Sequence, residues 1–118
     1  MAGEEVGPTV LTTVSDGVVL IRVRGAVDDW AGPAELVDAL TAAADGGEQR
    51  TVVDLSGVDF ADSAALHALL HGRRKHEKAG IPLVVAGPLS VNVHRLFEVT
   101  GTLDAFRFAD DVGTALAE

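Results

Sequence analysis

A chain of 118 residues, 47% of them apolar, is long enough to close one hydrophobic core and too apolar to be disordered over most of its length. Nine basic against eighteen acidic residues give a formal charge of −9, which works against binding phosphate backbones or inserting at anionic membrane surfaces. With no cysteine there are no disulfides, no thiol catalysis and no thiolate metal sites, and no apolar run reaches the length of a membrane-spanning helix.

The start, Met1-Ala2-Gly3-Glu4-Glu5, is acidic with no apolar run behind it, so it does not read as a signal peptide, and the cytoplasm is the expected address. Residues 1–8 read as a flexible lead-in ending at Gly7-Pro8, with one domain over residues 9–118. Val10 to Val14 predicts a strand, Asp16-Gly17 a hairpin turn, and Val18 to Val23 a second strand buried on both faces and broken by Gly25. A loop with Trp30 and Pro33 leads into a helix whose Leu36, Val37, Leu40 and Ala44 recur at helical spacing before Gly46-Gly47 ends it.

Thr51 to Leu55 predicts a third, buried strand closed by Ser56-Gly57. Asp62-Ser63 is a helix-start signal, followed by Leu66, Leu69 and Leu70 and stopped by Gly80 and Pro82. The basic cluster Arg73-Arg74-Lys75 with Lys78 falls on the tail of this helix, where it complements the negative end of the helix dipole. Leu83 to Ala86 is a short strand, and Ser90 caps a helix facing inward through Val93, Leu96 and Phe97. Leu103 to Phe108 suggests an edge strand, and Asp110-Asp111 precede a last helix through Val112, Ala115 and Leu116. Strands alternating with helices predict an α/β domain with parallel crossovers after one antiparallel hairpin, with Val19, Ile21, Val53, Leu55, Leu66, Leu69, Val84 and Leu96 in one core.

Catalytic signatures are missing where they would be expected. No glycine-rich phosphate loop follows a strand. His67 and His71 stand four apart on a helix but enclose Ala-Leu-Leu, without the acidic partner of a zinc motif, so they read as surface or partly buried helix histidines. A hydrolase would need Ser63 as nucleophile, a base among His67, His71 and His94, and an acid among Asp54, Asp59 and Asp62. Ser63 lies in Asp62-Ser63-Ala64-Ala65 and not in a nucleophile elbow, so the simpler reading is a helix start. No metal or other cofactor is called for. The carboxylates of Asp28, Asp54, Asp59 and Asp62 form a more suggestive group, since residues after strands can gather at one end of an open sheet.

Four segments in order resemble the STAS domain, and within it the bacterial anti-sigma-factor antagonists, over about Val10 to Leu116. They are Gly25-Ala26-Val27-Asp28, then Val52-Val53-Asp54-Leu55-Ser56-Gly57-Val58, then Phe60-Ala61-Asp62-Ser63-Ala64-Ala65-Leu66, and last Val93-His94-Arg95-Leu96-Phe97-Glu98-Val99-Thr100-Gly101. The resemblance implies a single STAS-like α/β domain, a mixed β-sheet with an N-terminal hairpin flanked by about four α-helices. It also implies a non-enzymatic module that docks onto an anti-sigma factor, often a serine kinase, to release a sigma factor, and that is reversed by phosphorylation from ATP. The alternative in the same family is a scaffolding subunit of a larger assembly, such as a transporter-associated complex.

The departure from the family pattern falls on the switch itself. The family reads Asp-Ser-[Ser/Thr]-Gly, with the acceptor hydroxyl most often just before Gly; here Ala64 takes the acceptor position and Ala65 the Gly position. Alanine cannot take phosphate. Ser63, beside an intact Asp62, is the remaining hydroxyl, so either the acceptor has moved to Ser63 or the switch is lost. The resemblance places the docking surface at Asp28, Asp62, Ser63, Ala64 and Ala65.

Overall fold

The computed structural model describes residues 8–29 and 31–117; the predicted lead-in, Pro8 excepted, and Trp30 lie outside the described residues. Strands β1 (Thr9–Ser15) and β2 (Val18–Val27) are joined by Asp16 and Gly17 alone. Both turn residues take positive φ, 54° and 80°, as the type I′ hairpin turn requires. β2 departs from expectation in two ways. It continues through Gly25, whose φ of 90° absorbs a register shift against the neighbouring strand, and it ends at Val27. Nor is it buried on both faces: Val19, Ile21 and Val23 face inward while Arg22 and Arg24 are exposed, the alternation of a half-covered sheet.

Helix α1 (Pro33–Asp45) opens on a proline, whose fixed φ suits the first turn, and buries Leu36, Leu40, Ala43 and Ala44. β3 (Arg50–Ala61) is twelve residues long, running past the expected stop at Ser56-Gly57. Its extension is held by β2, with Arg24 opposite Gly57 and Val27 opposite Ala61. Helix α2 (Ser63–Ala79) ends at Gly80 in the left-handed region, φ 73°, and β4 (Leu83–Ala86) follows. Helix α3 (Val91–Val99) is capped by Ser90, whose Oγ accepts from the Val93 N–H at 3.2 Å. The segment expected as one edge strand divides into a 3-10 turn, Leu103–Ala105, and a three-residue strand β5 (Arg107–Ala109). In α4 (Val112–Ala117) the Thr114 N–H donates to Asp111 Oδ1 at 2.7 Å, a bond that holds the Asp111 carboxyl below its ordinary pKa.

The sheet order is β1-β2-β3-β4-β5, antiparallel at the first pair and parallel at the other three. Three parallel crossovers step the same way, and the right-handed rule for such connections puts their helices on one face. The core agrees: Val19, Ile21, Val23, Val53, Leu55 and Val85 pack with Leu36, Leu40, Leu66, Leu69, Val93 and Phe97. Val84 does not belong there. Residues next to each other in a strand face opposite ways, so Val84 packs with Val52, Ala86, Ala109 and Ala115 in a smaller core beneath α4. Leu96 is half-buried at the rim of the larger core.

Two contacts fix how α2 seats. A Cβ on Gly72 would lie 2.5 Å from Leu40 Cδ1, so α1 and α2 cross where glycine allows close approach. One turn further on, His76 is 1% exposed, with Nδ1 2.8 Å from the Gly72 carbonyl and Nε2 2.9 Å from Thr51 Oγ1. A carbonyl only accepts, so Nδ1 carries the proton and Nε2 of the neutral ring accepts from the Thr51 hydroxyl. Burial pushes the His76 pKa down, against the opposing pull of the Gly72 carbonyl.

Candidate functional site

The C-terminal ends of β2 and β3 deliver the expected residues to one place. Asp62, directly after β3, is the N-cap of α2: its Oδ1 accepts from the N–H groups of Ala64 at 2.9 Å and Ala65 at 3.4 Å. The cap is thus Asp62 and not Ser63, which is exposed at the first helical position. Asp62 also reaches sideways, its Oδ2 accepting from the Asp29 N–H at 3.2 Å, while its own N–H donates to the Val27 carbonyl at 3.3 Å. A single carboxylate therefore caps the helix and ties it to the turn after β2. From the other side Asn92, in the first turn of α3, accepts the Ala61 N–H at 2.9 Å.

Asp28 shapes that neighbouring turn. Its backbone exchanges hydrogen bonds with Ala31 at 3.1 Å, and its Oδ1 accepts from the Ala31 N–H at 3.3 Å. Asp28, Asp29 and Asp62 so gather at one end of the sheet. Asp54 does not join them: it lies within β3, buried, accepting the Ser56 N–H at 2.9 Å with Arg22 Nε 3.8 Å away. Asp59 is an exposed strand residue. Asp29 and Asn92 escaped the sequence reading. The adjacency of Asp29 to Asp28 and of Asn92 to Ser90 was the only local hint, because both bonds join segments far apart in the chain.

Ala64 and Ala65 part company. Ala64 is half-buried and lines an open groove of about 470 Å3 between α1 and α2, with Pro33, Ala34, Val37, Asp38, His67 and His71. Ala65 is 3% exposed and packs in the main core, so its side chain has no part in a surface; neighbouring helical positions point about 100° apart. Ser63 is exposed and Ala64 opens onto the groove, while the exposed Asp29 lies beside the helix start through its bond to Asp62.

Catalytic convergence is not seen. Among the described residues no hydrogen bond joins Ser63 to a histidine, and His94 faces Glu98, Nδ1 to Oε1 3.7 Å. Nor do three or more His, Asp or Glu side chains of the described residues group as metal ligands would. No helix among the described residues is long and apolar enough to cross a membrane.

Fold and helix start together define a STAS domain, and the chain belongs to that family: residues 11–106 match the family model described as Mlab, STAS domain. It is 31% identical over 102 residues, 86% of either chain, to BtrV of Bordetella bronchiseptica, provisionally named an anti-sigma factor antagonist. The crystal structure of an anti-sigma factor antagonist from Mycobacterium paratuberculosis superposes with a TM-score of 0.83 at 27% identity, covering 98% of this chain and 97% of that one. A sulfate transporter family protein from Wolinella succinogenes shares the fold, with a TM-score of 0.71 at 22% identity over 89% of this chain and 86% of that one.

Proposed function

We propose that this protein is a non-enzymatic binding module of the anti-sigma-factor-antagonist type, docking onto an anti-sigma factor through the start of α2 and the adjoining α1/α2 groove. The observation that carries the reading is the Asp62-capped helix start, which presents the exposed Ser63 and is braced by the turn after β2 and by Asn92 of α3 beside an open groove. A rigid helix end with small side chains at Ser63 and Ala64 admits close approach by a partner, and bracing lowers the ordering cost of binding. The 31% relative supports the antagonist reading over the scaffolding one, because the transporter-family likeness is one of fold alone.

Ser63 is the site where a kinase partner would act on this surface. A phosphate there adds up to about two negative charges beside Asp28, Asp29 and Asp62, and Asp62 already holds the Ala64 and Ala65 N–H groups that would otherwise receive it. Repulsion then opposes docking of any partner that contacts this helix start. The soluble chain over residues 9–118 acts as one domain in this scheme, in the cytoplasm where its partners reside.

The test is capture of partners from the native cell, followed by titration of the captured anti-sigma factor. Ala64→Arg, which fills the groove mouth, should weaken binding at least about tenfold while circular dichroism stays normal. Full-strength binding by that variant sinks the proposal. Any phosphate that partner and ATP add should fall on Ser63 and be absent from Ser63→Ala; phosphate on another residue removes Ser63 from the switch, and none with an active kinase and tight binding identifies a constitutive antagonist.

A further inference from the structure

The two edges of the sheet are built differently. At one edge β5 is three residues long and carries the exposed Arg107, the short and charged form by which sheet edges resist pairing. At the other, β1 runs for seven residues, Thr-Val-Leu-Thr-Thr-Val-Ser, in unbroken register with β2. It holds no charge, proline, glycine or bulge. Leu11 is 61% exposed and Val14 56%, and they stand on opposite faces. Among the described residues β1 is paired on one side only.

The outward row of hydrogen-bonding groups can be located. In a two-residue hairpin loop the closing pair, here Ser15 and Val18, exchanges backbone bonds, and bonded pairs then alternate along the ladder. Ser15, Thr13, Leu11 and Thr9 therefore direct their backbone groups to β2, while Val14, Thr12 and Val10 direct theirs outward. That outward set is symmetric about Thr12. The side chains share the symmetry in part: read inward from both ends, Thr9 matches Ser15 and Val10 matches Val14, while Leu11 stands opposite Thr13.

We infer that the β1 edge pairs with the β1 edge of a second copy of this chain, antiparallel about a twofold axis at Thr12. The register joins Thr12 to its own copy and Val10 to Val14 twice, so every outward group finds a partner in about six bonds. Charge favours it as well. The acidic excess of the chain is absent from the strand, and the pairing brings the hairpin tip of one copy, with Asp16, to the end of β1 where the other copy's exposed Arg24 stands across from Thr9. A seven-residue strand pair lies toward the low end of the ~1,200–2,000 Å2 that stable interfaces bury, so the dimer assembles at micromolar concentrations. The α2 start lies at the end of β3, two strands away, and remains open in both copies.

Sedimentation velocity over ~1–500 µM should show the mass doubling, and Thr12→Lys, which sets two ammonium groups face to face on the axis, should weaken association at least about tenfold. The cysteine-free chain allows an independent check. Cα atoms of a bonded antiparallel pair lie about 5.5 Å apart, within the span of a short bis-maleimide, so with that reagent Thr12→Cys should crosslink to a dimer far faster than Ala42→Cys on the exposed side of α1. A wild-type chain that stays monomeric across the range overturns the inference. So does a dimer that Thr12→Lys leaves intact, or a Thr12→Cys chain that crosslinks no faster than the control.

Discussion

Replacing Gly72 with alanine sets two effects of known size against each other. In an ordinary helix interior the change stabilises by about 1 kcal/mol, because alanine loses less backbone entropy on folding. Here the new Cβ would meet Leu40 at 2.5 Å (Cδ1), 2.8 Å (Cβ) and 2.9 Å (Cγ), against a comfortable carbon–carbon contact of about 3.5–4.0 Å. Rotating Leu40 cannot clear the overlap, since its Cβ is fixed to the α1 backbone, and the side chain is fully buried with no space to swing into. The helices must separate by roughly 1 Å, and overpacking of this kind costs typically ~1–3 kcal/mol, here toward the upper end. The net expectation is a loss of about 2 kcal/mol, or a fall in Tm of roughly 5–10 °C for a domain of this size. Thermal melts by circular dichroism measure it directly. Leu40→Ala alone should cost ~2–5 kcal/mol, and adding Gly72→Ala to it should cost less than in the wild type, because the overlaps with Cδ1 and Cγ are gone and only the one with the Cβ that alanine keeps remains. A Gly72→Ala chain that melts at or above the wild-type temperature would refute the close-crossing argument.

Other expectations follow from single contacts. His76 is held neutral in the fold while the unfolded imidazole titrates near its ordinary value of ~6.5, so the unfolded state binds the extra proton. Unfolding free energy should therefore fall as pH drops from 7 toward 5, with a slope of at most ~1.4 kcal/mol per pH unit from this group, and urea titrations of His76→Gln should show a smaller pH dependence. Asp62→Ala removes the α2 cap and the link to Asp29, and should lower stability by about 0.5–2 kcal/mol in denaturant melts while weakening partner binding further than the cap alone explains. Leu69→Ala, at a buried core position, should cost ~2–5 kcal/mol; an unchanged melt would mean that α2 buries a different face.

Local chemistry carried much of this molecule into view from the sequence. Asp16-Gly17 announces a hairpin because few other pairs accept two consecutive positive φ values. Ser90, Asp62 and Gly80 mark helix ends because each satisfies backbone groups within its own few residues. The alternation of strands with helices, and the helix start at Asp62-Ser63, are legible for the same reason. They depend on neighbours in the chain.

What depends on distant partners emerges only with packing. Gly25 and Ser56-Gly57 carry the composition of stops, yet β2 and β3 pass through them, since each strand supplies the other with a ladder that outweighs a local turn preference. Val84 and Val85 are equally apolar in sequence, and only the second face of the sheet, covered by α4, separates them into two cores. Ala65 sits in the motif beside Ala64, but the seating of α2 turns one inward and leaves the other on the groove. That seating rests on Gly72 against Leu40 and on His76 against Thr51, contacts across 32 and 25 residues of chain that leave no local trace. The hairpin turn, the helix caps and the order of elements follow from the chain's own neighbours. Which carboxylate braces the helix start against its neighbouring loops was settled by packing, because a hydrogen bond between Asp62 and Asp29 exists only once two strands lie side by side.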